Sequence, residues 1–184
     1  MILPIYAYGQ PVLKKRAGDI EASYPDLAEL IENMWNTMYN AKGVGLAAPQ
    51  IGLSIRLFVV DTIQLEDEES SEKGVKRVFI NAEKIEEGGE EWPYEEGCLS
   101  IPNVRGDVER PAQIKLRWQD ENFATHEQIF LGMNARVIQH EYDHIEGVLF
   151  TEKLKPIKRQ LVRRKLENIK RGKVSAEYKM KFVR

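Results

Sequence analysis

Apolar residues early in the chain recur at helical spacing. Leu27, Leu30, Ile31, Met34 and Met38 fall on one face of a helix that Ser23 and Pro25 open and that runs to about Tyr39. Beyond it the period shortens. Residues 55–61 and 76–81 read as strands, and further strands are expected over 82–87, 114–119 and 127–131, with Asp120-Glu121-Asn122 supplying turn residues between the last two. The acidic run Glu66-Asp67-Glu68-Glu69-Ser70-Ser71-Glu72 joins the first two strands and reads as a flexible surface insertion within 64–74.

After the last strand the helical period returns. Ala135, Val137, Ile138 and Tyr142 make a largely apolar helix, and Gly147 stops it after Glu146. Pro156 starts a third helix towards Gly172, with Ile157, Leu161 and Ile169 on one side and Lys158, Arg159, Arg163, Arg164 and Lys165 largely elsewhere. The expected fold class is α+β. Mostly antiparallel sheets frame a central helix, with an additional N-terminal helix and a C-terminal basic helix.

A chain of 184 residues with 42% hydrophobic content can bury the core of one compact domain, and no internal repeat divides it. No apolar run approaches the roughly 20 residues that span a bilayer. Neither a signal peptide nor a transit sequence precedes Met1-Ile2-Leu3-Pro4, so a cytoplasmic, bacterial protein is expected. The net charge of −2 conceals an asymmetry: residues 153–184 hold 13 Lys/Arg against two Asp/Glu, leaving 14 basic and 27 acidic residues before them.

The densest chemistry lies in His140-Glu141-Tyr142-Asp143-His144. Two imidazoles four residues apart share a helix face and can reach one small cation. Glu141 points about 100° around the axis, where it can take a proton from water activated by that cation. The pattern suggests hydrolysis of an amide or ester. A catalytic site of this type needs a third protein ligand. Cys98, the one cysteine, is the candidate, set in a segment that Gly97 and Pro102 mark as irregular. A lone cysteine excludes an intrachain disulfide and fits a reducing compartment; buried hydrophobe, nucleophile and metal ligand remain its possible roles. The third feature is Gly43-Val44-Gly45-Leu46-Ala47-Ala48-Pro49-Gln50-Ile51-Gly52, whose small residues let a substrate backbone come close and whose Gln50 could donate to a developing oxyanion. It lacks the Gly-Lys-Ser/Thr ending of a phosphate loop, which disfavours nucleotide binding.

Gly43 to Gln50, Glu96 to Ser100 and Gln139 to His144 stand in the order of the three motifs of peptide deformylase, which the chain resembles over about residues 1–155. The resemblance implies that Cys98, His140 and His144 hold one divalent metal, usually Fe(II), with zinc, nickel or cobalt also able to occupy the site. It implies that Glu141 is the general acid/base and that Gln50 and the Leu99 backbone N–H stabilise the oxyanion. Gly45 would bind the substrate main chain, with Gly97 beside it, and Arg105 would sit near the bound peptide. The implied substrate is a nascent chain beginning with N-formylmethionine. Residues 1–155 would form the catalytic domain, and 156–184 a basic helix and tail of the same domain.

A methionine side chain needs an apolar pocket. Met133, Arg136 and Val137 precede His140 on its helix face, and Val44 and Tyr94 flank the other motifs. Arg136 departs from the aliphatic residue common in the family. Its methylenes are expected to line the pocket with the guanidinium reaching solvent or a carboxylate such as Glu96; an ordinary helix-surface arginine is the alternative. Asp143 and Arg110 are expected to pair and orient the metal helix and the Cys98 segment, a solvated pair being the fallback, and Glu96 could serve the same network.

The basic tail can be a solvated face, a contact to the acidic body, or an RNA contact, ribosomal RNA being the partner to test. The rival activity is a zincin-like metalloprotease, which would want a ligand downstream of the helix; no His or Cys follows His144. A nucleic-acid-binding protein with a structural metal is the rival from another class.

Overall fold

The computed structural model of the chain describes residues 1–70 and 72–183. Its centre is an antiparallel sheet of five strands in chain order, β2 (Gly45–Ala47), β3 (Leu57–Asp61), β4 (Lys76–Cys98), β5 (Ile101–Gln119) and β6 (Thr125–Leu131). The two-residue strands β1 (Ile5–Tyr6) and β7 (Met180–Lys181) form a separate parallel pair that ties the ends of the chain together. Three helices complete the fold: α1 (Leu27–Asn40), α2 (Gly132–Ile145) and α3 (Pro156–Lys170). Helix α2 packs its Ala135, Ile138, Tyr142 and Ile145 into a core shared with Phe58, Phe79, Trp118 and Phe130 from the sheet. The expected α+β arrangement around one central helix is what forms.

Several expected boundaries are corrected. α1 opens at Leu27, because Asp26 takes a left-handed φ of +53° that ends the turn carrying Ser23 and Pro25. Strand β3 starts at Leu57, while Ile55 makes only an isolated bridge to Gly18. The strands expected at 76–81 and 82–87 are one strand that continues to Cys98, and the strand expected from 114 begins at Ile101. Together β4 and β5 make a long ribbon whose tip is the Leu99-Ser100 turn. Over residues 104–110 of β5 the buried positions are Val104, Gly106, Val108 and Arg110, with Arg105, Asp107 and Glu109 exposed between them. The period of two is real, but a glycine and an arginine occupy inward positions, so it cannot be read as apolar alternation. The segment around Cys98, expected to be irregular, is therefore strand. Its irregularity is a bulge: Gly97 pairs with Arg105 and Cys98 with Ile101, leaving residues 102–104 unpaired and Asn103 at a φ of +63°.

Helix α3 spans the expected stretch, but its packing face differs. Val162 and Ile169 are buried, with Leu166 beside them, whereas Ile157 and Leu161 are 76% and 70% exposed. Positions 162, 166 and 169 follow the four-then-three spacing of one helical stripe; 157 and 161 lie on another. The acidic segment lies on the surface, yet it is fastened: Glu66 accepts from the Gly74 N–H, and Glu72 accepts from the Leu131 N–H and the Asn134 amide at the start of α2. Its Ser71 falls outside the described residues. No helix of the described residues is long and apolar enough to cross a membrane.

Candidate active site

Strand β4 delivers Cys98 at the ribbon tip, and α2 delivers His140 and His144 one turn apart. Their ligand atoms all lie within 4.8 Å of one another, with Cys98 Sγ 3.4 Å from His144 Nε2. Bonds of about 2.3 Å to sulfur and about 2.0 Å to nitrogen, meeting at a tetrahedral angle, would separate the two ends by roughly 3.5 Å. The donor set and its spacing fit a single divalent cation. Beside it, Glu141 Oε2 is buried and has no hydrogen-bond partner among the described residues, leaving a carboxylate oxygen ready to accept from a small molecule in the cleft.

Glu96 organises the surroundings. Its Oε1 accepts from His140 Nδ1 at 2.9 Å and from Arg110 at 3.0 Å; its Oε2 accepts from Arg110 at 2.7 Å and from Arg136 at 2.8 Å. Arg110 also donates to Asp143 at 2.8 Å, so the expected Arg110–Asp143 pair exists, and Glu96 rather than Asp143 is the shared acceptor. Because Nδ1 of His140 is committed to Glu96, Nε2 is the nitrogen left facing a cation. Arg136 is 2% exposed, so it is not a surface arginine. Its guanidinium donates to Glu96 and to the carbonyls of Val108 and Trp92, and lies 4.5 Å from the Trp92 ring centroid.

These contacts set the charges. Burial works against ionisation of Glu96, but hydrogen bonds from His140 and Arg110 outweigh it and hold the carboxyl well below the usual range. Burial likewise opposes a charged His140, and hydrogen bonds to Cys98 and Glu96 overcome it, raising the imidazole well above its ordinary value. His144 has no carboxylate on its ring; burial, then the neighbouring His140, lowers it. Burial pushes the Glu141 carboxyl up to about 7, against the opposing pull of His140.

Gln50 has its amide orientation fixed. Oε1 accepts from the Ala47 N–H at 3.0 Å, which turns Nε2 towards Cys98 Sγ at 3.4 Å and Ser100 Oγ at 3.3 Å. The helical turn Ala48–Ile51 that carries Gln50 therefore presents donors, not an acceptor, to the metal side of the cleft.

The site opens into a cleft of about 900 Å³. Its walls bring together Val44, Gly45, Gln50, Tyr94, Gly97, Cys98, Leu99, Arg105, Met133, Arg136, Val137, His140 and Glu141, with His144 behind the surface. Arg105 sits at the rim, paired with Glu95 at 2.9 Å. The sequence reading missed Leu65 and, more consequentially, the segment after α3: Ser175, Ala176, Glu177 and Tyr178 line the cleft. The signal was present in Val174, Ala176, Tyr178, Met180 and Phe182, which alternate inward with exposed polar residues, but the basic residues of the tail masked it. Tyr178 donates to the Leu99 carbonyl at 2.7 Å, and burial, with nearby Cys98, raises its phenol above the ordinary value.

The family model described as polypeptide deformylase matches residues 2–160. A peptide deformylase of Christiangramia forsetii is 56% identical over 189 aligned residues, covering 99% of this chain and 96% of that one. One from Flavobacterium johnsoniae is 54% identical over 190, covering 100% and 97%. Among solved structures, a peptide deformylase from Legionella pneumophila superposes with a TM-score of 0.80 at 38% identity over 93% of this chain and 96% of that one. Plasmodium falciparum peptide deformylase gives 0.82 at 33%, over 91% and 95%.

Proposed function

The chain belongs to the peptide deformylase family, and from that membership we propose how its residues divide the work of deformylation. The protein is a metal-dependent hydrolase that removes the N-formyl group from the amino-terminal methionine of newly synthesised proteins and releases formate. Cys98, His140 and His144 would hold one divalent ion, and the chemistry it would supply there is Lewis acidity. Of the cations these donors accept, Fe(II) is proposed as the resident one, with zinc, nickel or cobalt as substitutes.

Glu141 takes the proton that water gives up and passes it to the departing amine. Its buried, unpartnered Oε2 beside the cation site places Glu141 to accept and hand on that proton. The Gln50 amide and the Leu99 N–H stabilise charge developing on the formyl oxygen. Gly45 and Gly97 let the substrate backbone lie close to the walls, and Arg105 meets the peptide at the rim. The methionine side chain packs among Val44, Tyr94, Met133, Val137 and the buried stem of Arg136.

The observation that carries this division is the convergence of Cys98, His140 and His144 within 4.8 Å, beside the buried, unpartnered Glu141 oxygen. It also disfavours the metalloprotease reading, since the third donor comes from a hairpin upstream of α2 and not from beyond it. Formate release from formyl-Met-Ala-Ser by Fe(II)- or Ni(II)-loaded protein is the test. Turnover should be lost by several orders of magnitude in Glu141→Ala and abolished with metal loss in Cys98→Ser; an active Glu141→Ala would sink the acid/base assignment.

Residues 1–155 would act as the catalytic unit and 156–184 as a basic extension of the same domain. Its α3 exposes Lys158, Arg159, Arg163, Arg164 and Lys165, which supports ribosomal RNA as a partner in a bacterial cytoplasm. Salt-sensitive co-sedimentation with ribosomes, lost when those five become glutamine, tests it.

A further inference from the structure

The segment after α3 lines one side of the cleft as a strap. Gly172, at a φ of +69°, ends the helix; Asn103 Nδ2 then donates to the Ser175 carbonyl at 3.1 Å, and β7 pairs with β1. Beyond the pairing, the Gln10 side chain donates to the carbonyls of Lys181 and Phe182 at 3.2 and 2.9 Å. Val174, Met180 and Phe182 pack on the core cluster that includes Ile101, Val104 and Val108, against which Cys98 also packs. Tyr178 is thus held on both sides by anchored backbone, with its hydroxyl on the Leu99 carbonyl at 2.7 Å. It lies beyond the residues 2–160 that the family model matches.

We infer that Tyr178 is a positioning residue for deformylation: its hydrogen bond to the Leu99 carbonyl fixes the ribbon tip so that the Leu99 N–H meets the developing oxyanion. Leu99 sits in a two-residue turn between Cys98 and Ile101, next to a bulge of three unpaired residues. A tip of that kind has few ladder bonds of its own to hold its peptide planes, and an outside donor on its carbonyl restricts the backbone torsion of Leu99 directly. Donors to an oxyanion act only when aimed at where charge develops, so loosening this tip should affect the transition state and leave substrate binding in place. The inference rests on the proposed oxyanion role of Leu99.

The test uses the full-length, Ni(II)-loaded enzyme with formyl-Met-Ala-Ser. Tyr178→Phe removes the hydroxyl and keeps the ring. The expected result is a kcat about tenfold lower with KM, metal content and Tm unchanged, and faster amide hydrogen exchange in the peptide covering 97–101. A kcat within twofold of the parent, or unaltered exchange, overturns the inference. So does a rise in KM at constant kcat, which would make the residue only a wall. Gln50→Ala separates the underlying reading, because its donor comes from the Ala48–Ile51 turn. If Gln50→Ala keeps its kcat, the oxyanion reading fails and the inference falls with it; if Gln50→Ala loses activity and Tyr178→Phe does not, only the role of Tyr178 is refuted.

Discussion

Glu141 occupies the space that a side chain on Gly45 would need: an ideal Cβ there would lie 2.7 Å from Glu141 Cγ and 2.8 Å from its Cδ. Gly45 thus serves the carboxylate as well as any substrate backbone. Gly45→Ala should displace Glu141 and lower kcat by roughly a hundredfold or more, with metal content preserved. Steady-state kinetics beside metal analysis checks this; a kcat near that of the parent would show that the carboxylate tolerates displacement.

Glu96 neutralises two buried arginines and aligns His140. Glu96→Gln would keep the shape but leave Arg110 with Asp143 and Arg136 with no carboxylate partner among the described residues. The expected cost is about 3–5 kcal/mol of folding stability, because it uncovers buried positive charge. Metal affinity should fall about 10- to 100-fold as the imidazole loses its acceptor. Urea unfolding and a chelator competition measure the two effects separately.

At position 50 the sign of the amide matters. Gln50→Glu retains an oxygen for the Ala47 N–H, yet replaces the donor facing Cys98 by a second carboxylate oxygen. The expected loss is about 10²- to 10³-fold in kcat, with the fold intact by circular dichroism.

As a metal ligand Cys98 would donate charge to the metal, and its sulfur would itself be oxidisable. Fe(II)-loaded enzyme should lose activity on exposure to air while Ni(II)-loaded enzyme retains it, and anaerobic reloading with Fe(II) should restore the former wherever Cys98 has not passed beyond reversible oxidation. Timed assays with a thiol titration distinguish metal oxidation from thiol damage.

Helix α3 offers a matched comparison. Ile169 is 1% exposed and Ile157 76%. Ile169→Ala should cost about 2–5 kcal/mol and Ile157→Ala within about 0.5 kcal/mol. Equal effects in thermal or chemical unfolding would contradict the observed packing face.

The sequence by itself determined the class of chemistry, because that information is local. The spacing of His140 and His144 places both rings on one helix face whatever the fold around them, and the small residues from Gly43 to Gly52 signal a close backbone approach wherever they land. The helices were legible for the same reason, to within a few residues at their ends. Tertiary structure decided what depends on distant partners. Arg110 and Gly106 take inward positions on β5 because Glu96 and the packing of α3 accept them there, so the long ribbon is invisible to an apolar-polar reading. Glu96 became the hub, and Arg136 a buried cation, only when β4, β5 and α2 converged. The strap that carries Tyr178 to Leu99 closes a loop between residues 79 positions apart. No local pattern specifies such a contact, since its geometry is set by the pairing of the two chain ends.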